Sequence, residues 1–161
     1  MTNDNRAGAY CPSAAPEIPG ATVLGVFSGA GEKPRVVYLS DPVPLTGEIV
    51  DALRGVSPGE VLRIAAPCQE AMCPHFRDSS CTLVTKIVRA APEPENGEAL
   101  PRCYLRARCR WWKQEKAAAC SQCSMIATEN PDVTDLERWI ADTRTSAEEF
   151  DPRDFPAPRE S

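Results

Sequence analysis

Eight cysteines and one histidine are the residues of this chain best suited to chemistry, and seven of the cysteines lie with the histidine between Cys68 and Cys123. Thiolates and imidazoles are the side chains that bind zinc, copper and iron–sulfur clusters. The sequence carries no glycine-rich phosphate loop and no paired nucleophile and base, so the cysteines are its main reactive groups. We interpret residues 68–123 as a metal-binding segment and expect no independent catalytic activity.

The surroundings of the cysteines decide between metal ligation and disulfides. The N-terminal residues lack the basic region and apolar core of a secretory leader, and no apolar run reaches the ~18 residues of a membrane span. We therefore expect a soluble cytoplasmic protein that is neither exported nor inserted in a membrane. A reducing cytosol disfavours disulfides, so a disulfide framework is the alternative interpretation. The CxxC pair Cys120 and Cys123 follows an alanine run rather than a strand, which disfavours a thioredoxin-type dithiol.

The spacing of the cysteines favours an iron–sulfur cluster over zinc. Structural zinc sites usually have two short CxxC or CxxH hooks, because each hook supplies two ligands to one tetrahedral ion. This chain has one CxxC, and its other gaps of four, seven, five and ten residues are irregular. A [4Fe–4S] cluster tolerates such spacing, because its thiolates are several ångströms apart. We predict one or two [4Fe–4S] clusters, with zinc as the alternative.

The cysteines divide into a complete set of four and a set of three. If residues 105–120 were one straight helix, Cys109 and Cys120 would lie about 16 Å apart. The chain must therefore bend near residues 113–118, or these two cysteines serve different centres. One cluster that draws on both halves is a further alternative. The complete set is Cys103, Cys109, Cys120 and Cys123, and the incomplete one is Cys68, Cys73 and Cys81, with His75 or Cys11 as the candidate fourth ligand.

Charge is unevenly distributed along the chain. Residues 102–116 hold six basic residues and one acid, a net +5, whereas residues 129–161 hold ten acids and four arginines, a net −6. The basic segment could balance a thiolate cluster and dock the acidic region, or it could bind an anionic partner beside Trp111 and Trp112. With a net charge of −5 overall, we favour a protein redox partner over nucleic acid.

The elements that must position the cysteines are short, because 16 prolines and 9 glycines interrupt the apolar runs. Residues 21–27 and 35–39 are rich in β-branched and aromatic side chains and flank a loop with glycine and proline, which predicts an antiparallel hairpin. Thr46 is placed to cap a short helix that ends before Gly55. Residues 58–65 fit either a turn of helix or a third strand.

Two more helices are predicted around the cysteine-rich segment. The first follows Cys81, so this thiol is expected at a helix N-terminus, where backbone N–H groups lower a thiol pKa. The second follows Thr134 and carries Leu136, Trp139 and Ile140 on one face. We expect the second helix to cover the metal module, with partner binding as the alternative.

These patterns together predict an α+β protein. It has a small N-terminal hairpin and helix scaffold, then a cysteine-rich and mainly helical metal-binding module, then a C-terminal helix. The predicted boundaries are a flexible arm over residues 1–20, the scaffold over 21–66, the module over 67–145 packed on the scaffold as one compact domain, and a disordered acidic tail over 146–161.

Overall fold

The computed structural model describes residues 8–28, 35–91, 99–129 and 133–156. In these ranges the chain is a mixed α+β protein, as predicted, with a four-stranded antiparallel sheet, a two-stranded ribbon and five helices. The strands are β1 (Tyr10–Cys11), β2 (Thr22–Ser28), β3 (Arg35–Pro44), β4 (Leu62–Pro67), β5 (Phe76–Arg77) and β6 (Ser80–Cys81), and the helices are α1 (Gly47–Ala52), α2 (Pro58–Val61), α3 (Thr82–Ala90), α4 (Arg110–Cys123) and α5 (Asp135–Ala141).

The four-stranded sheet has the order β1-β4-β2-β3. The predicted hairpin is confirmed, because β2 and β3 pair antiparallel; residues 29–34 of its loop lie outside the described residues. Gly25 lies at a bulge in β2, where a Cβ would be 2.5 Å from Cγ1 of Val36 and 2.6 Å from the carbonyl oxygen of Val37. The close approach of β3 at this point therefore requires glycine.

The segment between β3 and β4 contains the capped helix and the glycine stop that the sequence predicts. The side chain of Thr46 accepts a hydrogen bond from the Ile49 N–H at the start of α1, and Gly55 follows the helix with φ +86°. Both interpretations of residues 58–65 hold in part, because Pro58 begins α2 and β4 follows at once. Residues 62–66 are all buried, which fits a strand with a neighbour on each side and both faces covered.

Two apolar cores lie on opposite faces of the sheet, because successive side chains of a strand alternate between its faces. Leu24 and Ala65 belong to the core that α3 and α4 cover, and this core includes Trp111. Val23 and Ile64 belong to the other core, which packs against residues of the N-terminal segment and α1. The core on the helical side of the sheet therefore includes or packs against four of the eight cysteines, Cys81, Cys103, Cys109 and Cys123.

The sequence predicts a flexible N-terminal arm, but part of its described length pairs with the sheet. Tyr10 and Cys11 pair with β4, and Ala9, Pro12 and Ala14 are buried. The backbone N–H of Ala14 also bonds to the carbonyl of Ile64, at 2.9 Å. Because pairing with β4 satisfies backbone groups and buries small apolar side chains, it offsets the entropy lost on ordering this segment.

The C-terminal region also differs from the prediction. The helix predicted after Thr134 is present as α5 and starts with a capping box. Residues 157–161 of the predicted tail lie outside the described residues, but residues 146–156 are not disordered. Two turns of 3-10 helix there place Phe150 and Phe155 against Trp139, with ring centroids 5.5 and 5.9 Å away. The acidic composition conceals this aromatic cluster. Among the residues that the structure describes, no helix has the length and apolar character to cross a membrane.

Candidate metal centre

Four cysteines from the second half of the cysteine-rich segment line one cavity against the sheet. Cys103 and Cys109 precede α4, whereas Cys120 and Cys123 lie in its last turns. We call these four residues the C-terminal cysteine set. The cavity has an empty volume of about 350 Å³, part of it open to solvent, and its walls include Pro12, Leu24, Tyr38, Arg106 and Trp111.

A break in α4 brings Cys109 to the other cysteines of this set. Lys116 has φ 54° and ψ −136°, so α4 consists of two helical segments joined at this residue. Of the two alternatives from the sequence, the bend between residues 113 and 118 is the one observed, and the separation expected of a straight helix does not arise. The alanines after Lys116 let the second segment approach closely, because Ala119 is fully buried in the helical core.

Three thiols of the C-terminal set, those of Cys103, Cys109 and Cys120, have raised pKa values and are protonated in the metal-free chain. Burial raises the pKa of Cys109 to about 12, and the nearby thiols of Cys123 and Cys120 also raise it. The backbone N–H groups of Trp112 and Trp111 bond to the thiol and lower its pKa, but by less. Burial likewise raises the pKa of Cys103 and that of Cys120. Metal binding here must therefore displace protons, which makes affinity depend on pH.

Three polar side chains point hydrogen-bond donors at these thiols. Nη2 of Arg63 lies 3.2 Å from Sγ of Cys123. Arg106 donates to the thiol of Cys120, and its positive charge favours the thiolate form by lowering that pKa. The Tyr38 hydroxyl bonds to Cys123, and burial is the main reason why the tyrosine pKa rises. Donors aimed at sulfur are the environment that stabilises a negatively charged thiolate centre.

Arg63 contacts the C-terminal cysteine set and is not among the site residues predicted from the sequence. It is the second residue of β4 and is fully buried. Its guanidinium stacks on Trp111, 5.7 Å from the ring centroid, and donates to the carbonyls of Pro12, Cys123 and Ile126. The available signal was an arginine inside an apolar run, because a charge that deep in a strand needs a specific partner.

The remaining four cysteines form a second group near the sheet edge. The thiols of Cys81, Cys68 and Cys73 each raise the pKa of Cys11, although burial is the main cause of its rise to about 12. We call these the N-terminal cysteine set. β1 carries Cys11 and β4 leads into Cys68, whose N–H bonds to the carbonyl of Ala9 at 2.8 Å. Of the two candidates for the fourth position, Cys11 thus interacts electrostatically with all three cysteines, and its strand pairs with the strand that precedes Cys68.

Cys81 begins α3 as predicted, but its pKa does not fall. The N–H groups of Val84 and Leu83 bond to the thiol and lower the pKa, whereas burial raises it by more. The expectation of a lowered thiol pKa is therefore wrong for the metal-free chain, because loss of solvent outweighs the helix terminus. The same N–H groups remain available to a ligating thiolate.

His75 lies between Cys73 and Cys81 and is partly buried. Its carbonyl accepts hydrogen bonds from the backbone N–H and the hydroxyl of Thr82, at 2.7 and 2.6 Å. Burial lowers the pKa of the imidazole, and Lys86 and Arg77 lower it further, so the ring is neutral at neutral pH. Its Nδ1 atom is buried without a hydrogen-bond partner.

The two cysteine sets share structural elements. The Gln114 side chain in α4 accepts from the N–H of Cys81 and donates to its carbonyl, both at 2.9 Å. Tyr10, next to Cys11, forms a backbone bridge with Cys109 of the other set. Pro12 lines the cavity of the C-terminal set and accepts the Nε–H of Arg63. Residues 10–12 and α4 therefore connect the two groups.

Buried nitrogen atoms without partners flank both sets. Besides Nδ1 of His75, the Nε atoms of Arg106 and Arg110 have no acceptor within the described residues. Arg106 lines the cavity of the C-terminal set, and Arg110 contacts the loop of the N-terminal set through Glu70 at 3.1 Å and through Phe76. Buried donors normally have partners, so these positions fit a bound group that carries acceptor atoms.

Within the described residues, arginines of the basic segment lie against aromatic rings, whereas Arg102, Lys113 and Lys116 are exposed. Arg106 stacks on Trp112 and Arg108 on Tyr10, with the charge 5.5 and 5.0 Å from the ring centroids. The acids of the C-terminal region pair with arginines of their own segment, as Asp135 does with Arg138. Asp142 and Asp151 likewise pair with Arg144 and Arg153. The contacts described here associate the basic segment with the cysteine sets.

An open groove adjoins the cavity of the C-terminal set. Cys103 and Arg106 line both spaces, so the groove leads from the surface to the thiols. Its empty volume is about 740 Å³, and Arg102 stands exposed at its side. We call it the Arg102 groove; it is lined by Tyr38, Leu39, Ser40, Arg102, Cys103, Tyr104 and Arg106.

The described residues contain no group of three or more His, Cys, Asp or Glu side chains arranged to hold one metal ion. No protein-family model matches the chain, and neither a curated protein nor a solved structure is significantly similar to it. Function must therefore be argued from the chemistry of the two cysteine sets.

Proposed function

We propose that this chain is an iron–sulfur protein that carries or senses electrons for a protein partner. The C-terminal cysteine set holds a [4Fe–4S] cluster through Cys103, Cys109, Cys120 and Cys123. The observation that carries the proposal is that these four thiols line one cavity, although up to ten residues separate neighbouring members in the sequence. The proposed location is the cytoplasm, where a reducing environment preserves thiols.

The arrangement supports a cluster better than the alternative of one structural zinc ion. Four thiolates around zinc lie at Zn–S distances of about 2.3 Å, which places the sulfur atoms roughly 3.8 Å apart. The thiols of the described chain line a cavity without such convergence. A cluster also brings sulfide acceptors, and Arg106 supplies a buried Nε donor without a partner at the cavity wall.

A [4Fe–4S] cluster supplies reversible one-electron transfer when it is bound. The chain's own residues set the conditions for that chemistry. Arg63, Arg106 and Tyr38 direct donors at the ligating sulfur atoms, which favours the more negative reduced state. Leu24 and Trp111 are both buried and give the cavity apolar walls.

The partner we propose is an acidic redox protein that docks at the Arg102 groove. Cys103 belongs to both the groove and the cavity, so a docked partner would approach the metal centre through this residue. Arg102 and Arg106 give the groove positive charge, which steers an acidic protein to it. Nucleic acid is the less favoured partner, because the whole chain carries a net charge of −5.

Anaerobic purification with iron, sulfide and zinc analysis tests the proposal. We expect a brown protein with a broad absorption band near ~400 nm and with equal amounts of iron and sulfide. Cys109→Ser and Cys123→Ser should each lose the cluster of this set, whereas Ser121→Ala, between the two ligands of the CxxC pair, should keep it. A colourless protein with stoichiometric zinc would instead support the zinc-stabilised interaction module and overturn the redox role.

A further inference from the structure

We infer that Cys11, Cys68, Cys73 and Cys81 hold a second iron–sulfur cluster, separate from that of the C-terminal set. The inference rests on the proposed function in that it uses the same chemistry. It goes further, because it assigns the fourth ligand to a cysteine that lies 57 residues before Cys68 in the sequence. The chain then carries two metal centres.

The backbone holds the N-terminal set together without help from a metal. β1 pairs with β4 through Cys11 and Ala66, so Cys11 is fixed beside the strand that leads to Cys68. The N–H of Cys68 bonds back to the carbonyl of Ala9. Cys81 pairs with Phe76 in the two-stranded ribbon, and this ribbon follows Cys73 directly. All four cysteines are therefore placed by hydrogen-bonded main chain.

The electrostatics also bring Cys11 into this set. Its thiol interacts with those of Cys81, Cys68 and Cys73, and Cys81 interacts in turn with Cys73 and Cys68. The thiols of the C-terminal set interact in the same way with one another. The interactions described between thiols all fall within these two groups of four, which together account for all eight cysteines of the chain.

Donors surround the N-terminal set as they do the other one. The N–H groups of Val84 and Leu83 at the start of α3 bond to the thiol of Cys81, and the N–H of Ser13 bonds to that of Cys11. Two buried nitrogen atoms without partners lie in this region, Nδ1 of His75 and Nε of Arg110. A cluster with sulfide acceptors would satisfy such donors.

This assignment gives His75 a supporting part rather than that of a ligand. Four thiols already complete a cluster of the Cys₄ type. The backbone carbonyl of His75 accepts two hydrogen bonds from Thr82, and Nδ1 of the ring is buried without a partner. On this assignment Nδ1 is a candidate donor to a cluster sulfur atom, and His75→Ala should shift the reduction potential of one cluster while iron content stays unchanged.

The two centres share a wall, so they are expected to influence each other. Residues 10–12 contribute Cys11 to one set and Pro12 to the cavity of the other. In α4, Gln114 holds the backbone of Cys81 while Cys109, Cys120 and Cys123 lie at the ends of the helix. Such closeness allows an electron that enters one centre to reach the other.

Iron and sulfide counts per chain test the inference. The wild-type protein, purified anaerobically, should bind iron and sulfide for two clusters. Cys11→Ser should halve both contents, Cys103→Ser should remove the other half, and the double variant should bind none. Alkylation of thiols followed by mass spectrometry should show Cys11 protected in the loaded protein and reactive after chelation and unfolding.

The outcomes separate this inference from the proposed function. If the wild-type protein binds iron for one cluster only, and this iron is lost in Cys103→Ser but retained in Cys11→Ser, there is no second centre. The proposed function would then stand. A protein without iron would overturn both. If Cys11→Ser retains both clusters and His75→Ala loses one, the fourth ligand is His75 rather than Cys11, which contradicts the assignment. If Cys11→Ser does not fold, the wild-type count still decides between one cluster and two.

Discussion

Nη2 of the buried Arg63 lies 3.2 Å from Sγ of Cys123. The other hydrogen bonds described for this guanidinium reach backbone carbonyls, which carry no net charge. The charge of Arg63 therefore faces a thiol. A buried cation is stable when an anion lies nearby, and a thiolate that ligates metal supplies one. The pair links the middle of the sheet to the C-terminal cysteine set.

Replacing Arg63 by methionine should affect both folding and the metal centre. We expect a loss of about 3 kcal/mol in the free energy of unfolding, because several carbonyl groups lose their buried donor. The reduction potential should become more negative, since a positive charge and a donor to sulfur are removed. Urea unfolding and a redox titration measure the two effects. Arg35→Met, at an exposed strand end, is the control and should change neither.

The sequence predicts the local elements well because local chemistry determines them. The cap at Thr46 and the stop at Gly55 depend on neighbouring residues alone. The bend in α4 was also predictable, because four ligands cannot meet along a straight helix. It was inferred from the requirement for ligation, however, and not from Lys116 itself, whose residue type does not favour positive φ.

Long-range placement could not be obtained from the sequence. Cys11 joins the N-terminal set because β1 adds to the edge of β4, and strand pairing across 55 residues leaves no local signal. The buried Lys86 is a similar case. It crosses from α3 to the carbonyl of Asp142 and the hydroxyl of Thr145, so its partners are some 60 residues away. Composition alone made residues 146–156 look disordered for the same reason.

The metal-free protein should lose stability in alkaline solution. Burial raises the pKa of Cys11 and that of Cys109 from 9.0 to about 12. A raised thiol pKa stabilises the fold below the unfolded value, so this contribution is complete below pH 9.0 and is lost as pH rises toward 12. Urea unfolding at neutral pH and at about pH 10.5 measures the loss.

Two comparisons identify the thiols as the cause of this pH dependence. Cys109→Ala should show a smaller alkaline loss than the wild type, because one of the shifted thiols is absent. The metal-loaded protein should also lose less, since its thiols are already deprotonated by ligation. An alkaline loss of equal size in all three proteins would show that other groups cause it.

Lys116→Gly should stabilise the chain by about 1 kcal/mol, because glycine adopts a positive φ without steric cost. The side chain of Lys116 also lies 5.7 Å from the ring centroid of Trp112, and loss of this contact will reduce the gain. Lys113→Gly is the matched control, since residue 113 has ordinary helical geometry in the same element. It should destabilise by about 1 kcal/mol. Thermal unfolding gives both values, and equal destabilisation would mean that α4 has no break at Lys116.

Deletion of residues 146–161 should destabilise the fold by about 2 kcal/mol, because it removes Phe150 and Phe155 from Trp139. The shorter deletion of residues 157–161 is the control, since it leaves the aromatic cluster in place. Chemical unfolding of the two truncated chains separates the predictions. Equal stability of both would mean that the cluster contributes nothing to the fold.

Docking at the Arg102 groove should depend on salt. With a small acidic ferredoxin as electron donor, the rate of reduction of the bound cluster is followed by the loss of absorption near ~400 nm. Arg102→Glu should lower the second-order rate constant about tenfold at low ionic strength, because a rim charge acts mainly on association. The difference should vanish in ~1 M salt, where the screening length is about 3 Å.

Arg102 is exposed, and the structure describes no contact between it and a thiol, so iron content should not change. Arg89→Glu makes the same charge change at an exposed position in α3 and should leave the rate unaltered. Equal slowing by both substitutions would indicate net charge rather than the groove as the cause, and a rate independent of salt would remove electrostatic docking from the proposal.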